Sequence, residues 1–345
     1  MAKPDGWAAV AQDERAIYVF PNKDKLEARD PGTGQVFWVF PDKNKPDQKK
    51  VGFEAVYDDP ILADGSLYFG SHDGKLIALN ANDGSLRWLK DDISGGITGG
   101  PLLVDGLLVF GTDTGRIYAR KATDGSTAAG WPVSGVKAGE QVWAPPVPAG
   151  SGRVAIATMD GVVRAYSLAD ASEVWAAPFE ADGAVADLGV AGAEIFVPSL
   201  GKEAIFLDPA SGRSAGSFAT SDWLWSNPAV ASGVGYFGDF GGKVYAVDLA
   251  SRRMLWAAAY DAEAKIKSAP VVIGDVLIVA SREPAVHFIS IKDGSRLNVV
   301  PIDSGTVRAP LTVRDGKALL VTTKGTVFVA DPVTRSVALA PGERN

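Results

Sequence analysis

Residues 28–38 read Ala28-Arg29-Asp30-Pro31-Gly32-Thr33-Gly34-Gln35-Val36-Phe37-Trp38, and the phrase returns with the same spacing at Ala78, Asn80, Asp83, Gly84 and Trp88. Two looser copies, Ala165, Ser167, Asp170, Ala171, Trp175 and Ala246, Asp248, Ser251, Arg252, Trp256, keep the alanine and the tryptophan ten residues apart. A second landmark, a proline entering an apolar run, recurs at Pro60, Pro101, Pro145 or Pro146, Pro228, Pro270 and Pro310. Its intervals are 41, then 44 or 45, then two repeats together, then 42 and 40, with Leu188 in the proline slot of the fifth unit. Eight units in 345 residues average about 43 residues, the period of four-stranded propeller blades.

The segments between these landmarks read as strand and turn. Asp-Gly pairs begin at Asp64, Asp73, Asp83, Asp105, Asp124, Asp160, Asp293 and Asp315, and such pairs favour the positive φ that tight hairpins require. Runs such as 67–69, 107–110, 276–280 and 318–321 are short, apolar and bounded by turn residues, as strands buried on both faces are. The expected fold is all-β, a single-domain eight-bladed β-propeller of four-stranded antiparallel blades. The blades fall near 7–40, 56–90, 97–133, 143–177, 186–219, 225–258, 267–300 and 307–340. Blade two serves as the template, with strand A at 60–63, B at 67–70, C at 75–80 and D at 86–90. The chain starts at a strand A and ends at a strand D, so the reading leaves the mode of ring closure open.

Composition excludes several classes. A net charge of −7 argues against a nucleic-acid or anionic-membrane partner. With no cysteine, disulfides, thiolate catalysis and cysteine-ligated metals are excluded. Residues 41–51, with Lys43, Lys45, Lys49 and Lys50, read as a solvated insertion between blades one and two. No 15-residue apolar stretch opens the chain, and the tight trimming reads as a domain cut from a longer precursor with its targeting segment left out and an extracytoplasmic setting, with a natural cytosolic start as the alternative.

The repeated tryptophan is assigned to strand D, the outermost, where an indole staples one blade to the next and its N–H finds a backbone acceptor. Trp38, Trp88, Trp175 and Trp256 take this role, and Trp131 does so displaced by two residues. Phe218, Asn298 and Leu339 stand where the staple has decayed, so units five, seven and eight are expected to hold their neighbours less tightly.

The pattern Ala-x-Asp-x-x-Thr-Gly-x-x-x-Trp, complete at 28–38 and nearly so at 78–88, resembles the tryptophan-docking motif of quinoprotein-type eight-bladed propellers. The resemblance spans nearly the whole chain and implies fold more strongly than function. One branch holds alcohol and sugar dehydrogenases with pyrroloquinoline quinone and calcium near the axis. The other includes the cofactor-free BamB-like scaffolds. This chain lacks the vicinal cysteine pair of methanol-dehydrogenase-like members and has almost no insertions, and it shows no acidic cluster able to gather calcium's oxygens. No catalytic residue, cofactor or metal ligand is therefore assigned.

Residues just before each strand A would line the axis: Tyr57 and Asp58, Thr98, Trp143, Asp187, Trp225 and Ser226, Lys267 and Ser268, and Arg308. Aromatic faces with a few charges suit a small-molecule site; equally, opposite charges at a solvated pore mouth neutralise one another. The B–C turns share that face and carry Met159, Phe240 and Arg282. Met159 and Phe240 beside Trp223 would make a patch for a protein partner. His72 and His287 come from different blades, share no metal spacing, and read as plain surface or strand residues. The favoured function is a non-catalytic protein-interaction scaffold, with a sugar or small-molecule sensor and a quinone- and calcium-dependent oxidoreductase as alternatives.

Overall fold

Short β-rich runs closed by Asp, Asn and Gly turns fold into eight separate four-stranded antiparallel sheets, each joined in sequential order. The computed structural model describes residues 10–185 and 187–343. Blade two is built from Ile61–Ala63, Ser66–Ser71, Lys75–Asn80 and Leu86–Lys90. The other sheets run over residues 11–40, 102–137, 147–180, 189–219, 229–261, 271–301 and 312–339. The start expected for the first blade near Trp7 lies outside the described residues. Strands B and C of each blade are almost wholly buried, as at Ser66–Ser71, because each sheet is packed on both faces by its neighbours.

The C–D turns have a common cause. Asp30, Asp83, Asp208, Asp248 and Asp293 each accept hydrogen bonds from a backbone N–H and a hydroxyl two or three residues on, as in Thr33 Oγ1 to Asp30 at 2.8 Å and Ser85 Oγ to Asp83 at 2.6 Å. These carboxylates sit below their ordinary pKa, held there first by the hydroxyl.

Five indoles join consecutive blades in one way. Nε1 of Trp38, Trp88, Trp131, Trp175 and Trp256 donates to the backbone oxygen of Ala81, Ala122, Leu168, Pro209 and Ile291 at 2.9–3.1 Å. Each acceptor lies one residue past strand C of the next blade, or two in the case of Pro209. For four of the five the glycine of the next turn, Gly84, Gly125, Gly212 or Gly294, lies against the ring, and a Cβ on Gly84, which has φ +65°, would come within 2.5 Å of Trp38 Cε3. In those turns glycine serves the approach of the neighbouring indole as well as the positive φ, whereas the turn that meets Trp131 carries Ala171 at φ +60°.

The assignment of every tryptophan to strand D is corrected for three blades. Trp38 and Trp88 lie in their D strands beside a β-bulge. In blades three, four and six the outer strand makes one bridge, leaves the ladder at the tryptophan and rejoins it as the pairs Val136–Lys137, Phe179–Glu180 and Tyr260–Asp261. Pro132 and Pro178 fall in two of these detours. Proline cannot donate to a ladder, and an outermost strand, with no neighbour beyond it, tolerates the gap. The ends expected at 133, 177 and 258 accordingly move to 137, 180 and 261.

Where the staple is missing, other contacts stand in. Phe218 packs edge-on against Phe237 at 6.1 Å and Tyr245 at 5.5 Å. Arg252 of blade six reaches back into blade five, 4.0 Å over the Phe206 ring and 2.5 Å from Glu194. Asn298 Nδ2 donates to Arg335 O of blade eight at 2.8 Å. Blade eight closes on blade one without strand exchange among the described residues. Val10, Ile17 and Val19 pack with Leu319, Val321, Val327 and Ala340, Gln12 Nε2 donates to Val313 O at 2.7 Å, and Arg314 donates to Asp13 O at 2.8 Å and Glu14 O at 3.1 Å.

The lysine-bearing insertion is docked rather than simply solvated. Lys43, Lys49 and Lys50 are exposed, but Gln48 is fully buried, accepts from Asp42 N at 2.8 Å and donates to Gly84 O at 2.9 Å.

Candidate functional site

Each strand A is preceded by a connection from the previous blade, and alternation along an extended chain turns successive side chains to opposite sides. In the pairs Val56-Tyr57, Ile97-Thr98, Val142-Trp143, Leu224-Trp225, Ile266-Lys267 and Val307-Arg308 the aliphatic member is buried between blades and its successor lines the axis. Bridges Leu224↔Asp239, Ile266↔Ser281 and Val307↔Thr322 pin three of these connections to strand B. The buried aliphatic residue fixes which side chain of each connection faces the axis.

The result is one cavity of about 90 Å³ lined by Tyr57, Asp58, Thr98, Trp143, Asp187, Trp225, Ser226, Asn227, Lys267 and Arg308 among others. Of the ten axial residues singled out from sequence, all but Ser268 meet there; Phe240, Met159 and Arg282 do not line it. Tyr57 lies 6.0 Å from Trp143, and Lys267 Nζ sits 3.9 Å over the Trp225 ring, a cation–π contact. Asp58 accepts from Gly100 N and Asp59 N, both at 2.7 Å, and Asp187 from Leu188 N at 2.9 Å. Among the described residues no ion pair joins these carboxylates to Lys267 or Arg308.

Burial raises the pKa of both Asp58 and Asp187, and the nearby Asp58 charge raises Asp187 further. Lys267 is pushed down to about 8 by burial, then by Arg308 and Arg282. A carboxyl with a raised folded-state pKa contributes stability that is present below its unfolded pKa and is lost as pH rises through the folded value. Asp187→Asn keeps an acceptor for Leu188 and never ionises, so it should raise Tm at pH 7. The gain should shrink towards zero below about pH 4, where aspartate is protonated in both states. Thermal melts at the two pH values measure this, and an Asp58→Asn partner should add less than its separate effect because each charge penalises the other.

Above the hub, on the face of the B–C turns, an aromatic series runs outward. Trp225 lies 5.8 Å from Phe240, and Phe240 lies 6.2 Å from Trp223, whose side chain is 46% exposed. Lys265 Nζ stands 6.0 Å over Phe240. Phe240 and Met159 are each half-buried, and they belong to blades six and four.

The loop bearing Trp223 is latched by Asp239, a residue that sequence reading passed over. This fully buried carboxylate accepts from Ser221 Oγ at 2.6 Å, Tyr245 OH at 2.7 Å, Asp222 N at 3.1 Å and Lys243 N at 2.9 Å. Its position in an Asp-Phe-Gly-Gly turn resembles many others here, and only the fold brings the four donors to it.

The histidines stay apart. His72, partly exposed, lies 5.4 Å from Tyr57 and 3.8 Å from Asp113. His287 is buried in strand C of blade seven between Tyr260 OH at 3.0 Å and Ser281 Oγ at 3.1 Å, and burial pushes it down to about 4. Among the described residues no three acidic or histidine side chains gather as a metal site.

Residues 5–129 and 128–338 match a family model described as outer membrane protein assembly factor BamB. Outer membrane protein assembly factor BamB of Xanthomonas campestris pv. campestris is 28% identical over 335 residues, covering 90% of this chain and 78% of that protein. A dehydrogenase subunit of quinone alcohol dehydrogenase from Gluconobacter oxydans is 34% identical over 73 residues, which are 21% of this chain and 10% of the subunit. The crystal structure of BamB from Moraxella catarrhalis superposes with a TM-score of 0.71 at 18% identity, covering 95% of both chains, and so shares the fold.

Proposed function

This chain belongs to the family of the outer membrane protein assembly factor BamB, and from that premise we propose that it is a non-catalytic scaffold of outer-membrane protein assembly. It docks a protein partner through the face bearing Trp223 and Phe240 and works in an extracytoplasmic setting.

The observation that carries this reading is the exposed Trp223, its ring tilted against Phe240 and its loop fixed by the Asp239 latch. A large aromatic held rigid at a rim loses little entropy on burial against a partner, which is why such residues anchor interfaces. The hub supports the same reading. Its cavity of about 90 Å³ is small beside the roughly 300–1,000 Å³ of small-molecule sites. Calcium takes six to eight oxygens, carboxylates prominent among them. Here two axial carboxylates stand where burial disfavours their ionised form, a poor fit to calcium and a quinone.

Complementation tests the reading: cells lacking the gene should assemble fewer outer-membrane β-barrel proteins. Wild-type chain should restore them and Trp223→Asp should not.

A further inference from the structure

The seam between blades eight and one lacks what fills the others. In blade one the hydrogen-bonded ladder aligns Ala11, Tyr18, Ala28 and Trp38 across its four strands, and in blade two it aligns Ile61, Tyr68, Ala78 and Trp88. Each indole packs against the tyrosine of its row, and Ala28 and Ala78 beside it are fully buried. The same row in blade eight reads Thr312, Leu319, Val329 and Ala338. Ala338, and not Leu339, therefore holds the tryptophan's place, and Leu339 turns to blade seven. In blade five the row ends at Gly216 and Arg252 reaches beside it onto Phe206; in blade seven it ends at Asn298, which bonds to Arg335. In blade eight Ala338 is exposed and Val329 only half-buried. A cavity of about 530 Å³ stands over them, lined by Leu319, Val329 and Ala338 and, from blade one, Ile17, Pro31 and Gly32, among others.

That volume lies within the roughly 300–1,000 Å³ of small-molecule sites, whose linings are likewise mostly apolar. Pro31 holds in blade one the place of Ala81 in blade two, whose backbone oxygen accepts the Trp38 indole N–H. The cations at the mouth are already matched, Arg314 lying 3.3 Å from Asp315 and Lys317 2.9 Å from Asp331, so the lining suits a neutral guest. Gly34, the counterpart of Gly84, is covered by Pro341 and Gly342, and Glu343 ties that turn to Arg29; the chain thus caps one side of the slot and leaves the rest open. We propose that this seam binds a neutral planar aromatic molecule of the indole class, its ring over Leu319, Val329 and Ala338 and its N–H donated to Pro31 O. The guest makes at the closing seam the contact that tryptophans of the chain make at five others. The slot opens beside the A–B turn of blade eight and the C–D turn of blade one, on the face away from Trp223, so it does not depend on the scaffold reading.

Titration of the full chain with indole, followed by amide NMR, should give saturable shifts centred on residues 31–34, 319, 329 and 338. 1-Methylindole, which has no N–H to donate, should bind about tenfold more weakly. Ala338→Trp should fill the slot with the chain's own indole, abolishing the response to added indole and raising Tm. Ala338→Glu, on an exposed outer strand, should keep the fold and weaken binding about tenfold by setting a charge in an apolar lining. Absence of saturable binding, shifts centred on another seam, or binding that survives both substitutions would overturn the proposal. Blocked tryptophan binding far more tightly than indole would also overturn it, giving the slot to a side chain of a protein partner.

Discussion

Trp38→Ala should lower the unfolding free energy by about 3–5 kcal/mol, the range for large-to-small changes at buried aromatic sites. The indole is 8% exposed, donates to Ala81 O at 3.1 Å, packs 5.8 Å from Tyr18 and covers Gly84. Removing it empties the seam between blades one and two and leaves a backbone oxygen of the neighbouring blade short of a donor. Denaturant unfolding of wild type and variant gives the difference. Gly84→Ala should also destabilise, because its Cβ would strike the Trp38 ring. Combined with Trp38→Ala its cost should fall, since the ring it strikes has gone. Additive effects would mean that the two residues do not share one contact.

Asp239→Ala should cost about 3 kcal/mol or more and should also impair docking. Four donors converge on this carboxylate within 3.1 Å, and a buried donor left unsatisfied costs about 1–3 kcal/mol. Two of the four, Ser221 Oγ and Asp222 N, belong to the loop that carries Trp223 and tie it to blade six, and Tyr245 OH of blade six in turn accepts from Ser221 N at 2.8 Å. Thermal melts should show the loss of stability, and hydrogen exchange at 221–224 should accelerate more than exchange in distant blades. Unchanged exchange there would mean that Asp239 does not hold the loop.

Much of this was legible because a propeller repeats. The Ala28–Trp38 phrase and the proline landmarks set the blade count, and the position just before strand A located the hub, since the connection to each innermost strand must pass the axis. Tyr57, Trp143, Trp225 and Lys267 were reachable on that logic alone. The outer strands of blades three, four and six were not, because whether the chain stays in the ladder after the tryptophan depends on an edge with no neighbour to enforce it. Arg252 reaching back onto Phe206, Gln48 anchoring the lysine-bearing insertion and Asp239 gathering four donors all join residues from different strands or blades. No local pattern in the sequence marks such contacts.

The claim that one face of this ring docks a partner is tested most directly by placing the same charge on opposite faces. Val333, 87% exposed on the C–D turn of blade eight, is the matched control for Trp223. In cells lacking the gene, and at equal chain abundance, Val333→Asp should restore outer-membrane β-barrel proteins to the wild-type level while Trp223→Asp leaves them depleted. Full restoration by Trp223→Asp, or equal failure of both, would contradict the account.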